Sequence, residues 1–174
     1  MTRSATPATP ATPALSGLNH ASDAEADALL TEVCASSTWA RLVRGARPWA
    51  DAEALRAANH AAMSQLTPAD LDEAMAGHAR IGTPKDGDAT SQREQAGVHG
   101  ADRALLDELR SANASYEEKF GHVFLICATG RTARSMLAAL RERHPNDPDT
   151  EREVVRSELG KINDIRLDRL LSTP

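Results

Sequence analysis

Aromatic side chains are scarce: two tryptophans, one tyrosine and two phenylalanines make up 3% of 174 residues. A core cannot be built from so few, so alanine, leucine, valine and isoleucine must supply most of it. That bias favours helix over sheet, because alanine and leucine lead the helix scale and β-formers are few. A basic excess is missing too. Twenty Lys and Arg stand against twenty-five acidic residues, for a net charge of -5, and the arginines are scattered among acids along helical stretches. A protein that grips nucleic acid through its phosphates is thereby disfavoured. Cysteine is limited to Cys34 and Cys127. They form no C-x-x-C pair and sit in apolar segments, which reads as buried thiols of a reducing compartment. No run approaches the roughly 18 apolar residues that span a bilayer. The N-terminus lacks a charged region followed by an apolar run, and the closing "LSTP" is not an S-K-L address. A cytoplasmic protein without a membrane partner is expected.

Metal and phosphate signatures are equally thin. His60, His78, His99, His122 and His144 form no H-E-x-x-H or similar pair, so no metal site is expected. No Gly-rich phosphate loop or G-x-S-x-G is present, and "CATGR" is too short for a phosphatase-type cysteine loop.

What the chain does have is helical periodicity. Hydrophobic residues at 41% and charged residues at 26% fit one globular domain. Residues 1–20 contain "ATPATPATP", where proline at every third position prevents a regular helix. They read as a disordered tail ahead of a domain over residues 21–174. From Asp23, which can cap a helix, Leu29, Leu30, Val33 and Cys34 cluster on one side. Thr67 and Pro68 mark a helix start and Gly77 its end. Ser91 and Glu94 are spaced as a capping box, with Thr90 an alternative cap. Helical patterning then continues to about Asn113, loosened at Gly97 and Gly100. "HVFLICAT" is the one β-like run, too little for a sheet, and is expected to be a buried extended connection or a helical turn. Thr150-x-x-Glu153 opens a last helix. The expectation is an all-α, bundle-like domain of about seven helices.

Three features carry candidate chemistry. In the last helix Val155, Leu159, Ile162, Ile165 and Leu170 form a stripe, and Arg166 falls within about 20° of its centre at about 100° per residue. A guanidinium there needs an internal carboxylate, a snorkelling path or an anionic ligand. His78 follows Gly77 at a helix C-terminus, where it is either a capping residue or an acid/base group presented beside a loop. Glu94 either closes a capping box with Ser91 or joins Ser91 and Gln95 at a helix start whose amides face a heteroatom-rich small molecule.

"GHARIG", "SQREQAG" and "KINDIRLDRLL", in that order, resemble the OHCU decarboxylases. Those enzymes convert 2-oxo-4-hydroxy-4-carboxy-5-ureidoimidazoline to (S)-allantoin in urate breakdown. "EVCASSTWARLVRGARPW" and "YEEKFGHVFLICATGRTARSMLAAL" agree, so the resemblance covers roughly residues 26–172. It implies an all-helical, cofactor-free decarboxylase with a small-molecule substrate, and a homodimer as a possible state. It implies that His78 is catalytic and paired with Glu94, and that Ser91, Gln95 and Arg166 bind substrate. The backbone of Leu125, Ile126, Cys127 and Ala128 is implied to line the pocket. Where the family often has proline after the histidine, this chain has Ala79. The rival reading is a non-catalytic helical ligand-binding or scaffold module that retains the fold. It predicts damage at His78, Glu94 or Arg166, and all three are intact.

Overall fold

The computed structural model describes residues 12–83, 87 and 89–172. The expected tail over residues 1–11 and part of the loop after His78 lie outside the described residues. Nine α-helices and one 3-10 turn run through them, with no strand among the described residues. They are α1 (Pro13–His20), α2 (Asp23–Val33), α3 (Ser37–Gly45), α4 (Ala52–Met63), α5 (Pro68–Ala76), α6 (Ala89–Glu94), the 3-10 turn Ala96–Val98, α7 (Arg103–Phe120), α8 (Ala133–Arg143) and α9 (Pro148–Ser172). The all-α architecture is as expected, with two more helices than the sequence suggested.

The chain groups into two compact units, Met1–Asp70 with Asn163–Pro174, and Leu71–Ile162. In the first, α2 packs on α3 and α3 on α4. Helix α1 corrects the expected tail boundary. Thr12 accepts the Leu15 amide, and Pro13 occupies the first turn, where its missing donor is harmless. Leu15 and Leu18 then bury one face, and the Asn19 amide exchanges two hydrogen bonds with the Trp49 backbone, each 2.9 Å. The cap of α2 is Ser22, not Asp23. A full Ser22–Glu25 capping box is present, which satisfies two amides where Asp23 would satisfy one. Asn163, on the C-terminal part of α9, donates to Asn59 on α4 at 3.2 Å, and Asp164 accepts from Asn59 and pairs with His60.

The second unit is built around Ile81, Leu109, Tyr116, Phe124, Ile126, Met136, Leu137 and Leu140, with α7 packed on α8. Helix α7 ends at Gly121 in the left-handed region, φ 74°, as a C-terminal glycine does. Helix α9 starts at Pro148, ahead of the expected Thr150. Asp147 accepts the Asp149 and Thr150 amides at 3.1 and 3.0 Å, and Pro148 sits at the first position.

Candidate functional site

His78 is placed by α5, whose start is as read: Asp70 N–H donates to the Thr67 hydroxyl at 3.3 Å and Thr67 N–H donates back to the Asp70 carboxylate at 2.8 Å. The helix stops at Ala76, and His78, half-buried, donates its own amide to the Met75 carbonyl at 2.9 Å. After Ala79 the backbone is gripped residue by residue. The Arg80 carbonyl accepts from the Gln95 amide at 3.2 Å, the Ile81 carbonyl from Asn113 at 2.9 Å, and the Gly82 N–H donates to Gln95 Oε1 at 2.9 Å. Gly82 has φ +85° and lies against Leu109. This left-handed conformation, in a tight space, is one that glycine adopts without strain.

Ser91 and Glu94 do not form the expected capping box. Helix α6 begins at Ala89, so both lie inside it, and the Ser91 carbonyl accepts the Gln95 amide at 3.0 Å. The S-x-x-E spacing is the same for a cap and for one turn of helix, so sequence could not separate them. The expected single helix to Asn113 is broken by the 3-10 turn and by Gly100, φ +78°. Gly97, inside that turn, touches the next segment: a Cβ there would lie 1.7 Å from the Arg131 carbonyl oxygen. The absence of a side chain at 97 is what lets the Ser91–Gln95 segment approach residues 128–131.

Residues 123–128 form the buried connection expected of "HVFLICAT", neither helix nor strand. Its support was not legible in the sequence. Arg143 donates to the Leu125 carbonyl at 2.7 Å and pairs with fully buried Glu151 at 2.5 Å. Glu151 also accepts from the Tyr116 hydroxyl and, at 2.8 Å, from Asn146. Two residues on, the Cys127 N–H donates to Glu158 at 2.8 Å, and Lys161 pairs with that carboxylate at 2.6 Å. Burial works against ionisation of Glu158, but Lys161 and the Cys127 amide outweigh it and hold the carboxyl below its usual range. Burial pushes the Cys127 thiol up, and the Glu158 and Glu94 carboxylates add to that rise. Between the two anchored residues, buried Ile126 has no partner for its N–H or C=O among the described residues.

Three segments thus converge in the second unit: the turn after His78, the Ser91–Gly97 stretch, and residues 125–131. Gln95 bonds the first, and Gly97 approaches the third at Arg131. These segments bear the His78 imidazole, the Glu94 carboxylate and the Ser91 hydroxyl, groups of the kind that transfer protons on a small polar molecule. Arg166 belongs to the first unit. It is half-buried and donates to the Val33 carbonyl at 2.9 Å, at the C-terminal end of α2. That is a favourable place for a cation. Around it Asn163 and Leu167 are buried, whereas Ile165 and Leu170 of the expected stripe are only half-buried. No helix among the described residues is long and apolar enough to cross a membrane.

Comparison with known proteins bears on this arrangement. The profile of the OHCU decarboxylase family matches residues 19–168. The uric acid degradation bifunctional protein TTL of Arabidopsis thaliana is 36% identical over 146 residues, covering 80% of this chain and 45% of that protein. The 2-oxo-4-hydroxy-4-carboxy-5-ureidoimidazoline decarboxylase of Amia calva is 32% identical over 87 residues, 50% of each. The chain thus spans about half the length of these two curated relatives. A crystal structure of OHCU decarboxylase in the presence of (S)-allantoin superposes with a TM-score of 0.69 at 30% identity, covering 88% of this chain and all of that one.

Proposed function

This chain belongs to the OHCU decarboxylase family, and we propose that it converts 2-oxo-4-hydroxy-4-carboxy-5-ureidoimidazoline to (S)-allantoin without a cofactor. The observations that support the proposal are the match to the family over residues 19–168 and, within one unit, Gln95 bound to the turn after His78 while Gly97 abuts Arg131.

The chemistry makes specific demands. The carbon that loses CO2 also bears a hydroxyl. As the C–C bond breaks, its electron pair forms a C=C bond to the neighbouring carbon that carries the ureido group, and the π pair of that carbon's C=N bond moves onto the ring nitrogen, which takes a proton. The hydroxyl then gives up its proton to become a carbonyl, and the ureido-bearing carbon takes one proton on one face. His78, partnered by Glu94, carries these proton movements. The family resemblance assigns Arg166 to substrate binding, and the Ile126 N–H supports charge that develops on the ring. Ser91 and Gln95 hold the ureido and ring edges, so that one face meets the proton donor. The same reading carries a cytoplasmic location and pairing of two copies, which fractionation and light scattering test.

The variants that test the site are His78→Asn and Glu94→Gln, assayed on substrate made in situ from urate. Each is expected to keep its helical spectrum, and His78→Asn to lose about 10²- to 10⁴-fold in rate. A folded His78→Asn protein that forms (S)-allantoin at the wild-type rate refutes the assignment.

A further inference from the structure

Resting on that reading, we propose that Arg143 and Glu158 are positioning residues: by gripping the peptides on either side of Ile126, they aim its N–H and C=O at the substrate. Residues 123–128 are neither helix nor strand, so no ladder of their own sets the direction of these peptides. Two charged side chains do so instead. Arg143 on α8 donates to the Leu125 carbonyl at 2.7 Å, and Glu158 on α9 accepts the Cys127 N–H at 2.8 Å.

A peptide group is rigid and planar, and in the trans form, which both peptides take, its C=O and N–H point in opposite directions. The Leu125 carbonyl shares its plane with the Ile126 N–H. Drawing that carbonyl toward Arg143 therefore turns the Ile126 N–H away from the guanidinium. The Cys127 N–H shares its plane with the Ile126 carbonyl, so Glu158 turns that carbonyl away from its carboxylate in the same manner. The two grips thus set both polar groups of the residue between them without a bond to either. Those are the two groups that take no partner among the described residues.

Both grips are themselves braced. Arg143 directs Nε and a second terminal nitrogen to Glu151 Oε1, at 2.9 and 2.5 Å, and its guanidinium lies 4.6 Å from the centre of the Phe124 ring. Glu151 is fixed in turn by Tyr116 and Asn146. Glu158 gives one carboxylate oxygen to Cys127 and the other to Lys161, at 2.6 Å. Arg143 is 8% exposed and Glu158 7%. Charged pairs this deep add little stability over apolar side chains of similar volume. What apolar side chains could not do is hold a carbonyl on one side of Ile126 and an amide on the other.

Glu158 carries the test, because the Lys161 side chain is 54% exposed and removing its partner strands no buried charge. Glu158→Leu lacks the acceptor for Cys127, whereas Glu158→Gln keeps one. In Glu158→Leu, exchange of the Cys127 amide is expected to quicken at least about tenfold. Its kcat is expected to fall about tenfold or more while KM stays within about threefold. Glu158→Gln is expected to recover kcat to within about threefold of wild type, a rescue that loss of charge alone would not give. A Glu158→Leu protein with kcat within about twofold of wild type overturns the proposal, and so does a Glu158→Gln protein as slow as Glu158→Leu. Should Glu158→Leu not fold, the active wild type decides. The grip requires the Cys127 N–H to be protected at the level of α9 amides and the Ile126 amide resonance to move when (S)-allantoin is added. A Cys127 amide that exchanges like an open loop, or an Ile126 resonance that stays in place, overturns it. A wild-type protein that protects Cys127 yet makes no (S)-allantoin refutes the decarboxylase reading and leaves the grip on the backbone standing.

Discussion

Gly97→Ala tests the convergence of segments most sharply. The new Cβ would lie 1.7 Å from the Arg131 carbonyl oxygen and 2.8 Å from its carbon, where real contacts do not fall under 3.0 Å. The neighbour is backbone, so no rotamer change relieves the clash. The 3-10 turn and the 128–131 segment must separate by about 1.3 Å, the distance needed to bring 1.7 Å up to 3.0 Å. Overpacking of this kind costs about 1–3 kcal/mol. At about 2–4 °C per kcal/mol for a chain this size, the melting temperature should fall by about 2–12 °C. The same shift moves Glu94 and Gln95 relative to residues 125–128, and a displacement near 1 Å at a reacting group costs about 10²-fold in rate. Thermal denaturation followed by circular dichroism gives the first number, and (S)-allantoin formation by folded protein gives the second. Gly17→Ala is the control. Gly17 lies inside α1, and a Cβ added there would meet nothing within 4 Å, so alanine should stabilise by about 0.5–1 kcal/mol. A Gly97→Ala protein that melts within about 1 °C of wild type and keeps full activity refutes the reasoning.

Arg143→Met removes one partner of a buried ion pair and leaves fully buried Glu151 with Tyr116 and Asn146 alone. A loss of about 3–5 kcal/mol is expected, read as a lower urea midpoint, and an unchanged midpoint contradicts it. Glu158 has its folded pKa lowered, so its stabilisation is complete above the unfolded carboxyl value, about 4.3, and is lost as pH falls through the lower folded value. Urea midpoints measured downward from about pH 5 should therefore fall more steeply for wild type than for Glu158→Gln; parallel curves contradict this. Tyr116 is the chain's one tyrosine, and burial first, then the Glu151 hydrogen bond, raises its pKa. Phenolate absorbance should thus appear only with alkaline unfolding, and titration at the ordinary value near 10 in folded protein would show the network is not formed.

What the sequence disclosed follows the range of the interactions involved. The start of α5 was legible because Thr67, Pro68 and Asp70 act within one turn. Helix α1 was hidden because a proline repeat reads as a breaker, whereas Pro13 at the first helical position is not one. Ser91 was ambiguous because three-residue spacing serves caps and helix interiors alike. His78, Glu94 and Arg166 stood out through their motifs. The Arg143–Glu151–Tyr116 network and the Glu158 anchor did not, since each joins residues whose separation carries no periodic signal. Gly97 was visible as the last letter of "SQREQAG", and only the approach of Arg131 explains why it is glycine.

The central claim is tested most directly by following optical activity as urate is oxidised in situ to the ureidoimidazoline, with and without the wild-type protein. The account predicts faster formation of allantoin with a large excess of the S enantiomer, undiminished by chelator. Allantoin that forms no faster than without the protein, and racemic, would contradict it.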